Sequence, residues 1–325
     1  RSEHGLRLDL FLSRRMKRMS RSLAARLVRQ GRVRGLRGGA LKASSRVFAG
    51  ERVLLKRKPL DEAPPDDIVV PVVYEDARLL GVNKPGHLVV HPTASHYHRT
   101  LIRVLRTRRG EEALDLAHRI DKETSGLVLL ARDFAAASWL KGEFARRRVE
   151  KTYLAIVAGV PREDEVVVRT PLRLADSVSN VVMETVSPEH PDAQEAWTEL
   201  RVLARGATAA LVEARPKTGR QHQIRIHLAH LGHPIVGDKL YLGGEAFFME
   251  AIRPDFPEAE LVREVGHHRQ ALHAWRATVR HPASGAPLAL TAPLADDLVA
   301  LARRLEIDVD AVAGVVTPPR GRAGG

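Results

Sequence analysis

The sequence predicts an α+β fold: a mixed, largely antiparallel sheet with flanking helices, preceded by a small α/β domain. Three observations favour this class. Short β-rich runs between residues 68 and 305 do not alternate with helical patterns in strict βαβ order. No glycine-rich phosphate loop or dinucleotide fingerprint follows these runs. A stretch rich in proline and acid separates them from an N-terminal segment with two short helical patterns.

The N-terminal segment begins with two predicted helices. Leu8, Phe11 and Leu12 follow helical spacing, so the basic residues between and after them fall largely on the other side. Ser20 is placed to cap a second helix, and Gly31 is placed to end it in a left-handed conformation. The alternating Val, Leu and Gly residues that follow predict small strands and turns.

The same segment carries the positive charge of the chain. Residues 1–58 contain 18 Lys or Arg and 3 Asp or Glu side chains, a net charge of +15, whereas the rest of the chain has a net charge of −2. A dense positive patch is typical of phosphate-backbone binding through counterion release, and a solvated basic arm is the alternative. The arginines predicted to contact phosphate are Arg14, Arg15, Arg18, Arg21 and Arg26.

Composition also sets the expected domain boundaries. We expect a first domain over residues 1–57, a linker at 58–67, a large domain over 68–305 and a flexible C-terminal tail at 306–325. Residues 241–266 read as an inserted loop or helical excursion within the large domain.

Several classes of protein are excluded by what the 325 residues lack. There is no cysteine, which excludes disulfide scaffolds, thiolate metal sites and cysteine nucleophiles. No apolar stretch is long enough to cross a bilayer, and the first residues do not resemble a signal peptide. We therefore expect a cytoplasmic protein without membrane partners.

The stretch "AHRIDKETSGLVLLAR" places several charges before a run that reads as a buried strand. Asp121 precedes the turn-forming trio Thr124-Ser125-Gly126, after which residues 127–131 should enter the sheet. A carboxylate at the mouth of a buried strand is a common placement for a catalytic acid, base or nucleophile. Glu123 adds a weaker glycoside hydrolase alternative, because neighbours two residues apart do not flank a sugar from opposite sides. Charges that only solvate a turn are the remaining alternative.

A second constellation occupies residues 215–234, which predict a short helix ending at Gly232. Arg220 and Arg225 lie at its basic opening and could present guanidinium groups to a carboxylate or a phosphate.

We expect the histidines to be structural or to contact RNA rather than to bind metal. The sequence has no HExxH pattern, and the arginine-rich surroundings would repel a divalent cation. The histidines concerned are His222, His227, His230 and His233, and also His87, His91, His96 and His98.

A third constellation, "EKTYLAIVAG" at residues 150–159, carries Tyr153 in a strand-like run. Tyrosine is an ordinary strand residue, so alone it indicates no function.

Taken together, these segments resemble the successive motifs of RluA-type pseudouridine synthases. The matching stretches are "YEDARLLGVNKPGHLVVHP", "HRIDKETSGLVLLAR", "EKTYLAIVAG", "PKTGRQHQIRIHLAHLGHPIVGD" and "RQALHAWRATVRHPASGAPLALTAPLADDL", in the family's order. Residues 6–57 resemble an S-four-type RNA-binding domain, through "LRLDLFLSRRMKRMSRSLAARLVRQGRV" and "AGERVLLKR".

The resemblance implies an isomerase that converts specific uridines to pseudouridine, in large-subunit ribosomal RNA or ribosomal precursor particles, with no cofactor and no metal. By the family's pattern Asp121 is the catalytic carboxylate, Arg225 pairs with it, and Tyr153 lies against the uracil. Arg119 lies beside the nucleotide, and Arg220 is a weaker candidate for pairing with Asp121. Covalent attack on the ribose and a glycal route both stay open.

RNA is therefore the expected partner. His222, Arg119, Arg220 and the five N-terminal arginines are the predicted RNA contacts, and we expect a monomer. A non-catalytic RNA-binding protein built on the same domains is the alternative function.

Overall fold

A computed structural model of the protein describes residues 4–16, 19–35, 41–56, 67–93, 96–312 and 314–315. The chain divides into two compact units, Arg1–Asp61 and Glu62–Gly325, and each is treated by itself. The linker predicted at 58–67 lies, apart from Asp67, outside the described residues. The predicted domain boundaries remain predictions.

The first unit contains the two predicted helices and small strands. Ser20 caps the second helix, since its hydroxyl accepts a hydrogen bond of 3.1 Å from the backbone N–H of Leu23. Leu8, Leu12 and Val28 are buried in a small core of their own. The elements are β1 (Leu6–Arg7), α1 (Leu8–Arg15), α2 (Arg21–Arg29), β2 (Val33–Gly35), β3 (Arg46–Val47) and β4 (Val53–Leu55), with β1 paired to β3 and β2 to β4.

The second unit combines strands and helices without βαβ alternation. Its strands are β5 (Val72–Glu75), β6 (Leu79–Lys84), β7 (Asp115–Leu116), β8 (Ser125–Ala131), β9 (Glu150–Ala158), β10 (Glu165–Val168), β11 (Leu172–Leu174), β12 (Met183–Thr185), β13 (Thr198–Arg205), β14 (Ala209–Pro216), β15 (Leu272–Arg280) and β16 (Pro287–Thr291). Its helices are α3 (Leu101–Arg109), α4 (Phe134–Ala145), α5 (Gln223–His230), α6 (Gly244–Ala251), α7 (Glu258–Val265) and α8 (Asp296–Arg304). Across the described parts of both units, no helix has the length and apolarity needed to span a membrane.

Most of these strands form one large sheet, which confirms the predicted α+β class. The order is β10-β13-β14-β9-β15-β8-β6-β5, with β16 added beside β15 and β7 beside β8. Neighbouring strands in this sheet are antiparallel except for β8 and β15, which are parallel. Strand β8 is buried along its whole length, as its continuous apolar sequence predicts.

Two hydrophobic clusters pack against this sheet. One gathers the buried residues of β9, β14, α5 and α8, and the other gathers those of β6, β8, α3 and α4. Tyr153 packs against both clusters, so its strand β9 lies where they meet.

Residues 241–266 were expected to form either an inserted loop or a helical excursion. They form a helical excursion that contains α6 and α7. Apolar residues of the two helices and the chain around them pack together in a small cluster of their own.

The prediction of a flexible tail at 306–325 is wrong for the first part of that range. Ile307, Val309 and Val315 are each at most 2% exposed and belong to the cluster around α8. The Gly314 carbonyl also accepts a hydrogen bond of 2.9 Å from the indole N–H of Trp275. Apolar residues spaced through 307–315 give this stretch enough surface to bury. The remaining residues of the predicted tail lie outside the described part of the chain.

Strands β8 and β15 approach closely at Gly126. The φ angle of Gly126 is +108°, and a Cβ there would lie 2.2 Å from the Ala274 carbonyl oxygen. The pairing of the two strands at Ser125–His273 and Gly126–Ala274 therefore requires glycine.

We predict that Gly126→Ala lowers the free energy of unfolding of the second unit by about 3 kcal/mol, because it adds a steric clash to an unfavourable φ. Gly110→Ala is the matched control. Gly110 also has a positive φ, +65°, but a Cβ added there would meet no atom within 4 Å. We expect a loss of only about 1 kcal/mol there. Urea titration measures both, and equal losses would contradict the close approach.

Candidate active site

Asp121 lies in the loop between β7 and β8, before the predicted turn. Its Oδ2 atom accepts hydrogen bonds from Arg225 Nη1 at 3.3 Å and from Gln270 Nε2 at 3.4 Å. The Gln270 amide also donates to Thr124 Oγ1 at 2.7 Å, which ties it to the same loop. The carboxylate is thus held from one side while its side chain remains 34% exposed.

Arg225 is held by a second carboxylate that the sequence interpretation did not assign. Its Nε and Nη2 atoms donate to the two oxygens of Asp238 at 2.6 and 2.8 Å, and the Asp238 side chain is fully buried. Burial alone would lower the pKa of Arg225, but Asp238 and Asp121 raise it above its usual range. The guanidinium is therefore charged, and it bridges the fully buried carboxylate of Asp238 and the partly exposed carboxylate of Asp121.

Asp238 is itself kept ionised despite its burial. Burial would raise its pKa, but the charge and hydrogen bonds of Arg225 lower it below the usual range. Its Oδ1 also accepts backbone N–H bonds of 3.0 Å from Leu240 and Tyr241. Asp238 stands in the quoted stretch "HPIVGD", where a lone acid after a glycine gives no signal of its partner.

Helix α5 is anchored at its start, which fixes the position of Arg225. The Gln223 amide donates to the Trp197 carbonyl at 3.0 Å and to Thr198 Oγ1 at 2.9 Å. His227 bonds Thr198 Oγ1 at 2.8 Å and the Thr170 carbonyl at 3.0 Å. His227 is therefore a structural histidine, as predicted.

The loop that carries Asp121 is tied down on its other side by a buried lysine. Lys84 Nζ donates to the carbonyls of Pro85, Leu88 and Lys122 at 2.7, 2.9 and 3.1 Å. The three donors of the ammonium are thus used on backbone oxygens, one of them directly after Asp121. Burial lowers the pKa of Lys84 well below its usual range.

Glu123 does not act as a second carboxylate beside Asp121. Its Oε1 accepts a hydrogen bond of 2.5 Å from Lys239 Nζ, and its backbone carbonyl accepts one of 2.8 Å from Arg269. This pairing disfavours the glycoside hydrolase interpretation, since Glu123 is held by Lys239 rather than aimed into the cavity with Asp121.

A cavity of about 570 Å³ opens in front of Asp121. Tyr153 enters it from β9, and burial and the Asp121 charge raise the pKa of its hydroxyl. His222, in a left-handed conformation at the start of α5, has its pKa lowered to about 4, mainly by burial and next by Arg225. The structure brings together here the six site residues predicted in this unit: Asp121, Tyr153, Arg225, Arg119, Arg220 and His222.

The cavity is lined mainly by positive charge. Among the described residues that line it, Asp121 is the one acid. The basic residues are Arg119, Arg147, Lys151, Lys217, Arg220 and Arg225. Such a lining favours an anionic ligand, and one carboxylate is held inside it.

The N-terminal arginines belong to the first unit. Arg14 and Arg15 are exposed on α1, and Arg21 and Arg26 are exposed on α2. Arg18 lies outside the described residues. Arg21 donates to Asp9 at 3.1 Å, so part of its charge is balanced within the unit.

Among the residues that the structure describes, one group of side chains is close enough to share a cation, and its histidines were not singled out in the sequence. It comprises His267, His268 and Asp297. Arg269 already donates to both oxygens of Asp297, at 2.6 and 2.8 Å. The Arg269 side chain is 1% exposed, and its positive charge beside Asp297 would repel a divalent cation. The absence of a metal requirement remains a prediction.

Comparison with known proteins gives consistent matches along the chain. A family model described as RNA pseudouridylate synthase matches residues 78–230. Ribosomal large subunit pseudouridine synthase C of Vibrio cholerae is 35% identical over 89% of this chain and 90% of its own. Ribosomal large subunit pseudouridine synthase D of Xylella fastidiosa is 34% identical over 94% and 90%. The solved structure of human RNA pseudouridylate synthase domain containing 4 superposes with a TM-score of 0.57 at 28% identity, covering 77% of this chain and 95% of that one.

A pH-dependent stability follows from a buried histidine behind the loop. His273 is 0% exposed, bonds Ser125 Oγ at 2.9 Å and the Ala292 carbonyl at 3.1 Å, and has its pKa lowered to about 4, mainly by burial. Because an unfolded histidine titrates near 6.5, the unfolded chain binds more protons between these values. The folded state is therefore not penalised by His273 above about pH 6.5. Its free energy of unfolding falls as the pH is lowered from about 6.5 towards 4, because protonation of His273 favours the unfolded chain.

We predict that protonation of His273 lowers the free energy of unfolding by roughly 3 kcal/mol between pH 6.5 and 4. His273→Asn should flatten that part of the pH dependence, whatever its effect on absolute stability. His230→Asn, at an exposed site at the end of α5, should keep the wild-type slope. Urea unfolding at several pH values provides the measurement, and an unchanged slope in His273→Asn would show that His273 titrates normally.

Proposed function

The chain belongs to the RNA pseudouridine synthase family, and from this we propose that it converts specific uridines of large-subunit ribosomal RNA to pseudouridine with Asp121 as the catalytic carboxylate. Family membership makes it an isomerase that acts on RNA. One observation supports the role of Asp121. Among the described residues that line the basic cavity, Asp121 is the one acid, and Arg225 holds its carboxylate.

In this proposal the two oxygens of Asp121 have different tasks. Both described donors, Arg225 Nη1 and Gln270 Nε2, bind Oδ2. Oδ1 then carries the reactive lone pairs. In pseudouridine formation the bond between ribose C1′ and uracil N1 breaks, the uracil turns, and a bond forms between C1′ and C5. The proton on C5 leaves and N1 takes up a proton, so the composition is unchanged. Oδ1 serves either as the nucleophile at C1′ or as the base that removes a ribose proton.

Arg225 and Tyr153 both support this chemistry. Arg225 donates a hydrogen bond to Oδ2 of Asp121 and thereby aims its carboxylate. The raised pKa of Tyr153 keeps its hydroxyl protonated at neutral pH, so that the ring can stack on uracil and the hydroxyl can donate a hydrogen bond.

A uridine must leave its stack to reach Asp121, at a cost of roughly a few kcal/mol. Arg119 is exposed at the cavity and can occupy the space that the uridine leaves. The basic cavity lining supplies phosphate affinity that offsets this cost.

The first unit supplies further RNA affinity in this proposal. Its two-helix arrangement and small strands are compatible with the S-four-type domain, and its exposed arginines offer phosphate contacts. Ribosomal RNA as the target is supported by the names of the two bacterial relatives, which match about nine-tenths of this chain.

We predict that Asp121→Asn lowers the rate of pseudouridine formation by at least ~10³-fold, because the amide is neither a base nor a nucleophile. Release of tritium from C5 of uridine in an unmodified transcript of large-subunit ribosomal RNA measures the rate. Glu163→Gln is the control, since Glu163 is exposed and does not line the cavity. A wild-type rate in Asp121→Asn would contradict the assignment, and a wild-type protein that binds RNA without tritium release would favour the non-catalytic alternative.

We predict that replacing Arg14, Arg15 and Arg26 together by glutamine makes RNA binding less sensitive to salt. Each lost phosphate contact should reduce the slope of log affinity against log salt by about 0.7–0.9. Filter binding across a salt titration gives that slope. The matched control replaces the exposed Arg201, Arg253 and Arg263, none of which lines the cavity. An unchanged slope in the N-terminal variant would remove the first unit from the RNA contacts.

A further inference from the structure

Lys151 lies on β9 two residues before Tyr153. Residues two apart on a strand point to the same face and lie roughly 6.6 Å apart along it. Both side chains accordingly line the cavity in front of Asp121. Lys151 therefore lies one strand repeat along β9 from the residue proposed to contact the base.

Lys151 differs from most other cations of this cavity in its contacts. Within the described part of the chain, its ammonium has no hydrogen bond or ion pair, although the residue is partly buried. The other basic residues that have described partners are Arg225 with Asp121 and Asp238, Arg220 with the Glu195 carbonyl, Arg147 with Glu195, and Lys217 with Glu199.

The charged group beside Lys151 is a second cation, Arg147. Burial lowers the pKa of Lys151, and the neighbouring Arg147 lowers it further. The ion pair of Arg147 with Glu195 is 3.1 Å long, with both side chains at least half exposed. Such a surface pair contributes little, so Arg147 can exchange it for a stronger anion. An anion placed between Lys151 and Arg147 would relieve their repulsion.

The backbone leaves space for this anion. A Cβ atom on Gly219 would lie 3.8 Å from Lys151 Nζ, so any larger side chain there would extend over the ammonium. Glycine keeps that side of the ammonium open to the cavity.

Arg147 occupies a position that normally favours glycine. It follows the end of α4 with a φ of +58°, and the N–H groups of Arg147 and Arg148 close back on Phe144 and Glu143 at 3.1 and 2.9 Å. A strained non-glycine residue at a cavity is typical of a side chain kept for its function.

We propose that Lys151, with Arg147 beside it, binds the backbone phosphate next to the uridine that enters the cavity. This inference rests on the proposed function, since it takes RNA as the substrate and Asp121 as the reacting group. A phosphate fits the two adjacent cations better than a neutral uracil oxygen does, because it balances charge as well as accepting hydrogen bonds. Lys151 would thereby fix the nucleotide along β9 while Tyr153 contacts the base.

Phosphate ethylation interference tests this contact. The probe is a fragment of unmodified large-subunit ribosomal RNA transcript centred on a uridine that the wild-type protein converts. Ethylated phosphates that prevent binding are mapped for the wild type, Lys151→Met and Lys151→Arg. Lys141→Met is the control, since Lys141 is an exposed lysine of α4 that pairs with Asp115 and does not line the cavity.

We expect Lys151→Met to lose interference at one phosphate within a nucleotide of the converted uridine, and to reduce the salt slope of binding by about 1. Lys151→Arg and Lys141→Met should keep the wild-type pattern. An unchanged pattern in Lys151→Met, or a lost phosphate far from that uridine, overturns the inference while leaving the proposed function intact. If the wild type converts no uridine, the proposed function fails, and the inference fails with it.

Discussion

Arg225 carries a positive charge into a part of the protein where side chains are almost fully buried, and Asp238 makes that placement possible. A buried guanidinium without a partner would destabilise the fold by several kcal/mol. With both oxygens of Asp238 engaged, Arg225 still has Nη1 to offer to Asp121. The partly exposed carboxylate of Asp121 is therefore oriented by a cation that is itself held in place, which is the arrangement that a preorganised site requires.

The sheet determines where this pair meets the loop that carries Asp121. The parallel contact of β8 with β15 brings Gln270, just before β15, beside Asp121 and Thr124. The antiparallel contact of β15 with β9 places Tyr153 opposite Ala274. Three segments distant in sequence thus converge where the two hydrophobic clusters meet, and a packed core holds the side chains in place.

Charge is distributed so that Asp121 is surrounded by basic residues with different contacts. Arg225 orients Asp121, Lys84 uses its donors on the backbone of the loop, and Lys151 faces the open cavity. A polyanion attracted to this lining would bring its phosphates to the rim and one nucleoside to the acid inside. The strongly basic first unit extends the same electrostatic preference to a second surface.

The sequence by itself determined the local structure: the helix cap at Ser20, the end of α5 near Gly232, the buried strand β8 and the place of Asp121 before it. These features depend on periodicity, capping and turn residues that act over a few positions. The family motifs added Tyr153 and Arg225. Only the tertiary structure decided the partners Asp238, Gln270 and Lys239. It also decided the packing of Ile307, Val309 and Val315 and the open ammonium of Lys151. Such contacts join side chains far apart in the chain, and they depend on strand register and core packing, which local patterns do not specify.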